Sequence, residues 1–376
     1  MAIDKITTPA IADDAVTNAK VSYNNNQFRN IIINGDMSIA QRGTSVSGIT
    51  NSSYNTVDRM RIGATSAGTW TQSQETDVPT GQGFAKSLKM DCTTANGSLS
   101  SNSVLYFQQK IEGQNLQYLK KGTSSAESLT LSFWVKATKT GTNIVELRDM
   151  DNSRSISKSY SISSTNTWEK KTLTFAGDTT GTLNNDNGES FRLLFCLAAG
   201  TDFTSGTLNT SWGSRVNANT TVGQVNHADS TSNEWYITGV QLEAGTTASD
   251  FEFLPYDVNL RRCQRYYYKL STSGQKFVGF AQVDNDDLNV VAIIPFQVHM
   301  RDRPTSVETP SSATSYRLRE AITYNCTAVP SFNNATYFNS TLAFRRSGIT
   351  SSDGFAQGEL LKATLNSAIL AWSAEL

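Results

Sequence analysis

SLTLSFWVKA, residues 128–137, puts Leu129, Leu131, Phe133 and Val135 on one side of an extended chain and Thr130, Ser132, Trp134 and Lys136 on the other. A period of two belongs to a strand with one face on a core and one turned away from it. TWEKKTLTF (167–175) repeats the pattern, with Leu173 and Phe175 opposed to Lys170, Thr172 and Thr174. FRLLFCLAAG (191–200) alternates Phe191, Leu193, Phe195 and Leu197 against Arg192, Leu194 and Cys196, which predicts a strand covered on both faces. SVLYFQQKI (103–111) and EWYITGVQLEA (234–244) are two further strands. Between them lie Gly-, Asn- and Thr-rich turns: ATKTGTN, GDTTGTLNNDNGES and VNANTTVG. Strands at this density, with no alternation of strand and helix, predict a mainly β fold, an antiparallel jelly-roll sandwich.

The pattern changes near Pro255. DVNLRRCQRYYYKL (257–270) is the best helix candidate, with Arg261, Arg265 and Lys269 spaced to form one charged stripe. QKFVGFAQV and NVVAIIPFQV then read as strands, and LLKATLNSAILAWSAEL (360–376) ends in another. The expected organisation is an extended arm at 1–28, a sandwich at 29–256 and a smaller β-rich domain with one short helix at 257–376. In the arm, Ile3, Ile6, Ile11, Val16 and Val21 fit neither a helix nor a strand period. So little apolar mass needs identical copies beside it or a partner surface.

Composition narrows the function. Of 376 residues, 32 are Lys or Arg and 33 are Asp or Glu, for a formal net charge of −1, which argues against a broad basic nucleic-acid surface or a polybasic membrane anchor. Charged residues make up only 17%, and Ser, Thr and Asn fill the gap at roughly a third of the chain. No apolar run approaches the roughly 18 residues of a membrane span, and MAIDKITTPAIADDAV lacks the basic and apolar regions of a signal peptide. Cys92, Cys196, Cys263 and Cys326 are far apart, which fits buried thiols better than a zinc site. With only His227 and His299, and no G-x-S-x-G, a catalytic triad is not expected. Asp149 with Asp151, Asp186 among asparagines, and Asp284 with Asp286 and Asp287 supply hard oxygens that suit Ca²⁺, but none has EF-hand spacing; no metal or cofactor is expected.

Several stretches resemble a known module. RNIIINGDMSIAQRGTS (29–45), DRM (58–60) and YITGVQLEAGTTASDFEFLPYDVNLRRCQRYYYKL (236–270) follow the order of motifs found in bacteriophage tail-fibre and virion-fibre proteins. IPFQVHMRDRPT (294–305), the closing WSAEL (372–376) and the opening AIADDAVTNAKV (10–21) resemble other segments of such fibres. Residues 61–235 carry no motif of this module. The resemblance implies a non-enzymatic homotrimeric tail fibre made in the host cytoplasm and carried on the virion. Its arm would hold another virion protein through Ile3, Ile6, Ile11, Val16 and Val21. Its carbohydrate-binding-like jelly roll would meet a bacterial surface glycan, without nucleic acid or membrane insertion. Alternatives are a capsid-attached head fibre or decoration protein, a polysaccharide depolymerase, and a collar adaptor. The depolymerase lacks β-helix repeats and a convincing carboxylate pair; Glu243 and Glu252 read better as caps or partners of Arg261 and Arg262.

An exposed indole stacks on the apolar face of a sugar ring. Trp70 (AGTWTQSQ) and Trp212 (NTSWGSR) read as loop residues and the best ligand candidates; Trp134 and Trp168 lie on polar strand faces and are further candidates, although burial beneath a second layer is the preferred reading for both. Trp235 reads as core. Asp36, Arg42, Asp58 and Arg59 read as structural polar anchors, with an arginine clamping Asp58 or Asp36. Gly35 reads as the positive-φ residue of a turn. The Tyr266–Tyr267–Tyr268 run reads as an interface or core element joining the two domains.

Overall fold

The computed structural model describes residues 28–271, 276–283, 289–309, 312–319, 323–345, 355–360 and 369–376. The arm residues Ile3, Ile6, Ile11, Val16 and Val21, and the acidic run Asp284, Asp286 and Asp287, lie outside them.

Before residue 245 the strands are β1 (Ser45–Ile49), β2 (Ser53–Tyr54), β3 (Arg61–Thr65), β4 (Thr69–Glu75), β5 (Ser87–Thr94), β6 (Val104–Glu112) and β7 (Leu129–Ala137). Then come β8 (Gly141–Asp149), β9 (Arg154–Ile162), β10 (Glu169–Phe175), β11 (Glu189–Ala199), β12 (Gly213–Ser214) and β13 (Glu234–Ala244). They form two sheets, ordered β1-β4-β5-β13-β7-β10 and β12-β9-β8-β11-β6-β3-β2. The pairing is antiparallel, and β13 lies between β5 and β7 although they are distant in sequence. This is the predicted sandwich.

The two sheets share one core. The inward row of β7, Leu129, Leu131, Phe133 and Val135, is buried against Phe191, Leu193, Phe195 and Leu197 of β11. Phe133 and Phe195 meet edge-on at 5.0 Å, and Phe107 lies 5.6 Å from Trp235. Each such side chain contributes about 1.5–3 kcal/mol by leaving water. Strand β11 is covered twice, as its sequence predicts. Its outward Leu194 and Cys196 form a second cluster with Tyr106 and Ile144. Residues 200–225, starting with the one-turn helix α1 (Thr201–Thr204), run beside that face; Leu208 packs on the cluster, and Ser157 donates to the Thr220 carbonyl at 2.8 Å.

Beside the shifted register of β13 near Thr238–Gln241 runs the ING segment. Ile31 N–H donates to the Leu242 carbonyl, and Val240 N–H to the Gly35 carbonyl, both at 2.9 Å. Gly35 does not supply a positive φ; Asn34 (62°) and Met37 (59°) do. Gly35 is required by close approach, because a Cβ there would sit 2.0 Å from the Val240 carbonyl oxygen.

Beyond residue 255 come α2 (Tyr256–Gln264), β14 (Tyr267–Ser271), β15 (Lys276–Val283), β16 (Asn289–Pro295), β17 (Tyr316–Arg319) and β18 (Thr323–Asn325). They are followed by β19 (Ser331–Ala335), β20 (Asn339–Arg345), β21 (Phe355–Leu360) and β22 (Ile369–Ser373). Strands β14 and β22 pair alone, and the others form a sheet ordered β18-β17-β21-β15-β16-β20-β19. A separate core gathers Tyr268, Phe296, Leu342, Phe344 and Trp372. The expected helix over 257–270 is half right. It stops at Gln264, because Tyr267 and Tyr268 join a ladder opposite Ser373 and Trp372. Arg265 and Lys269 therefore leave the helical stripe. Arg265 turns to Glu112 at 2.7 and 3.0 Å, and Lys269 to the Gln41 carbonyl. Tyr266, with Ile33, Ile39 and Cys263, fills a small core between the helix and the sandwich.

Candidate functional site

The outward row of β7 shows where the sandwich is open. Thr130 is buried and donates to the Gly245 carbonyl at 2.8 Å. Ser132 is buried beside Gln241, whose amide is held by Ser249 and the Asp250 carbonyl. At the other end Lys136 is buried beneath Trp168 and Tyr236, with its Nζ 4.2 Å from the Tyr236 ring centre and 5.6 Å from that of Trp168. Between these covers Trp134 stays half-buried and makes no hydrogen bond or ring contact among the described residues. Its neighbours across the ladders are the buried Thr238 and the exposed Lys170. Strand alternation puts Trp134 on the outward face, and the covers at both ends of the row make it a floor.

Trp168 walls one side of this floor. It immediately precedes β10, and its ring meets Tyr236 edge-on at 6.2 Å. Its indole N–H donates to Asp77 Oδ1 at 2.9 Å, while Lys136 forms an ion pair with the same carboxylate. Asp77 reaches this position from the loop after β4, which folds back so that Ser87 donates to its carbonyl. Lys89 pairs with Glu234 at 2.5 Å, and Tyr236 donates to Glu234 at 2.8 Å. Desolvation alone would raise Asp77 and Glu234. The Lys136 and Trp168 hydrogen bonds outweigh it at Asp77, and those of Lys89 and Tyr236 outweigh it at Glu234, so both carboxyls are held below their ordinary range. The surface is thus a half-open indole floor, an indole wall, and a rim of ionised Asp, Glu and Lys with Thr172 and Lys170 on the neighbouring strand.

The sequence candidates divide. Trp134 and Trp168 fall on this one face. Trp70 is a correction: it lies in β4 rather than in a loop, is 1% exposed, and donates its indole N–H to the Ala67 carbonyl at 2.7 Å, so it is core. Gly68 and the polar neighbours made AGTWTQSQ look like a turn, but Gln72 is itself buried on Thr56. Trp212 does lie in a loop, but it stacks on Phe191 at 5.9 Å, packs against the core and donates to the Ala176 carbonyl. It roofs a buried ammonium: Lys121 Nζ, 5.6 Å from the ring, sits 2.5 Å from Asp149 and 3.0 Å from Asp178. Asp151, the other acid of that run, accepts from Asn184 at 2.9 Å, so the Asp149–Asp151 run and the Asp186 loop are joined. Among the described residues no group of three or more His, Cys, Asp or Glu is placed to hold a metal ion.

Of the polar anchors Asp58 and Arg59 are buried and Asp36 and Arg42 half-buried, and their expected pairing is corrected. Asp58 is held by Gln41, through the backbone N–H and the side-chain amide, and not by an arginine. Asp36 accepts from Asn259 at 3.2 Å. Arg42 and Arg59 both converge on Glu375, and Arg59 also lies 3.4 Å over the Tyr266 ring. A carboxylate more than 300 positions away was the missing partner, and it locks residues 374–376 onto the sandwich. Glu243 and Glu252 likewise form no ion pair with Arg261 or Arg262 among the described residues: Glu243 pairs with Arg29 at 3.7 Å, and Glu252 accepts from the Phe28 and Asn30 N–H groups and acts on Arg262 only through space. Asp77, Tyr236, Lys89 and Glu234 were not singled out in the sequence. Tyr236 and Lys136 were within reach, since both lie on outward rows of strands already identified; Asp77 in its loop carried no such signal.

No protein-family model and no curated protein matches this chain. Among solved structures it is similar to the enzymatically active domain of bacteriophage CBA120 tailspike protein 4, at 15% identity and a TM-score of 0.30 over 57% of this chain. It spans 21% of the length of that tailspike chain. It is also similar to TmCBM61, solved in complex with β-1,4-galactotriose, at 8% identity over 57% of this chain and 99% of that one, TM-score 0.25. The CBM22-1 xylan-binding domain from Paenibacillus barcinonensis Xyn10C matches at 11% identity over 56% of this chain and 100% of that one, TM-score 0.25.

Proposed function

We propose that this chain is a non-catalytic fibre protein of a bacteriophage particle that adheres to the bacterial surface by binding glycan on the outer face of its six-stranded sheet. The observation that carries the binding half is the half-open Trp134 between covered neighbours, with Trp168 beside it and hydrogen-bonding groups around it. An apolar ring face flanked by polar donors and acceptors matches a sugar, whose C–H groups stack while its hydroxyls bond at the rim. The ionised state of Asp77 and Glu234 supports binding without hydrolysis, because a glycosidase acid needs a raised pKa to hold its proton. The fibre half rests on the ordered motifs at 29–45, 58–60, 236–270, 294–305 and 372–376. Three copies would present three such faces, and avidity would offset weak single contacts.

Fluorescence titration of the full chain against bacterial surface polysaccharides tests this reading. Trp134→Ala and Trp168→Ala are each expected to weaken binding by about tenfold or more. Binding unchanged in both variants would sink the proposed face, and release of reducing ends would sink the non-catalytic reading. A solution mass of three 41.0 kDa chains, about 123 kDa, is expected for the trimer. Labelling with an antibody on intact particles would separate a tail position from a capsid one.

A further inference from the structure

A cavity of about 440 Å³ opens where the first described residues, the strand β6 and the end of helix α2 meet. Its volume falls in the range of small-molecule sites, about 300–1,000 Å³. Its lining holds four cations, Arg59, Lys110, Arg262 and Arg265, and no carboxylate. Three of the four are committed to acids behind the wall: Arg59 to Glu375, Lys110 to Glu189 at 3.1 Å, and Arg265 to Glu112. Arg262 is different. It makes no ion pair among the described residues, and its one hydrogen bond is a long 3.4 Å contact to the Asn30 carbonyl. Burial lowers its pKa from the ordinary arginine value, and the through-space attraction of Glu252, which lies beyond ion-pair distance, does not offset it. A second unmet need lies in the same wall, since Arg59 is 1% exposed and its Nε has no acceptor.

The rest of the lining is chemically specific. Phe28 and Tyr118 are 55% and 49% exposed at the rim, and the Arg262 guanidinium lies 5.9 Å from the Phe28 ring centre. Asn115 offers a side-chain amide that makes no hydrogen bond among the described residues. A planar guanidinium fork matches a carboxylate, aromatic faces match the C–H face of a pyranose, and an amide matches its hydroxyls. We propose that this cavity is a second ligand site, separate from the Trp134 face, that takes an acidic sugar unit with its carboxylate on Arg262 and its ring against Tyr118 and Phe28. The site stands on its own observations and does not require the Trp134 reading.

The test is calorimetric titration of the full chain with galacturonate and glucuronate, with galactose and glucose as neutral parents and acetate and phosphate as plain anions. The uronates are expected to bind more tightly than either control set. Arg262→Gln is expected to weaken uronate binding by about tenfold or more, and Arg262→Lys by less, because it keeps the charge and loses the fork. Trp134→Ala is expected to leave uronate binding intact, so failure of the outer-face reading and failure of this one are distinguishable. Three results would overturn the proposal: uronates that bind no better than their neutral parents, acetate or phosphate that bind as tightly as uronates, or a folded Arg262→Gln protein with unchanged uronate affinity.

Discussion

Replacing Lys121 by methionine removes the cation from the most enclosed charge cluster of the sandwich. The Lys121 side chain is 4% exposed, and those of Asp149 and Asp178 are 0% and 3%. Its ammonium is ringed by those two carboxylates and by the Thr180 and Gly181 carbonyls at 2.9 and 2.8 Å. In the variant Asp178 keeps both arms of Arg154, at 2.8 and 2.9 Å. Asp149 keeps only neutral donors, the Asn152 N–H and amide, both at 3.0 Å. One buried carboxylate is then uncompensated, which costs about 3–5 kcal/mol. That is a large share of the roughly 5–15 kcal/mol that holds a domain folded. Urea unfolding at neutral pH, followed by tryptophan fluorescence, is expected to show the full loss. In the parent protein burial would raise Asp178, but its bonds to Arg154 and Lys121 outweigh this and lower its pKa, so its contribution is present above the ordinary carboxylate pKa and is lost as pH falls through the folded value. The carboxylates and carbonyls left behind are hard oxygen ligands, so millimolar Ca²⁺ is expected to restore part of the variant's stability and none of the parent's. A loss below about 1 kcal/mol at neutral pH would refute the reasoning, since it would mean that the cluster is neutralised in some other way.

Glu375→Gln breaks the pairs with Arg42 and the buried Arg59 and should cost about 3 kcal/mol, read as a lowered midpoint of thermal unfolding. Trp70→Ala should cost about 3–5 kcal/mol and leave glycan affinity per folded molecule unchanged, whereas Trp134→Ala should cost under about 1 kcal/mol and remove affinity; equal stability losses would refute the assignment of one indole to core and the other to surface. His227 is buried with Nε2 2.7 Å from Asn143 Oδ1, and burial pushes its pKa down to about 4 from 6.5. Its neutral form is the folded one, so stability is full above the unfolded value and falls between about pH 6.5 and 4, by about 3 kcal/mol across the window. His227→Gln should flatten that slope in urea unfolding at pH 7 and pH 5.

The alternation that makes β7, β10 and β11 strands is local, and it was legible in the order of residues. So was the double cover of β11, because Leu194 and Cys196 make its outward row apolar beyond Arg192. The outward position of Trp134 follows from the same period. Trp70 was not legible, because its strand reads as polar, and its Gln72 is buried against Thr56 from the segment between β2 and β3. The end of α2 was not legible either: the helical spacing of Arg261, Arg265 and Lys269 is real, and the partner strand 369–373 overrides it. The need of Arg42 and Arg59 for an acid could be read from their types, but its identity as Glu375 could not.

Strand class and the inward rows of the core could be read from the order of residues, because backbone geometry imposes a period of two on any chain that pairs edge to edge. Which indole is open, which acid each cation meets and where a cavity leaves Arg262 with no ion pair among the described residues are settled by long-range packing. Those outcomes depend on which distant segments cover each face, and that is set by sheet order and loop path rather than by neighbours along the chain.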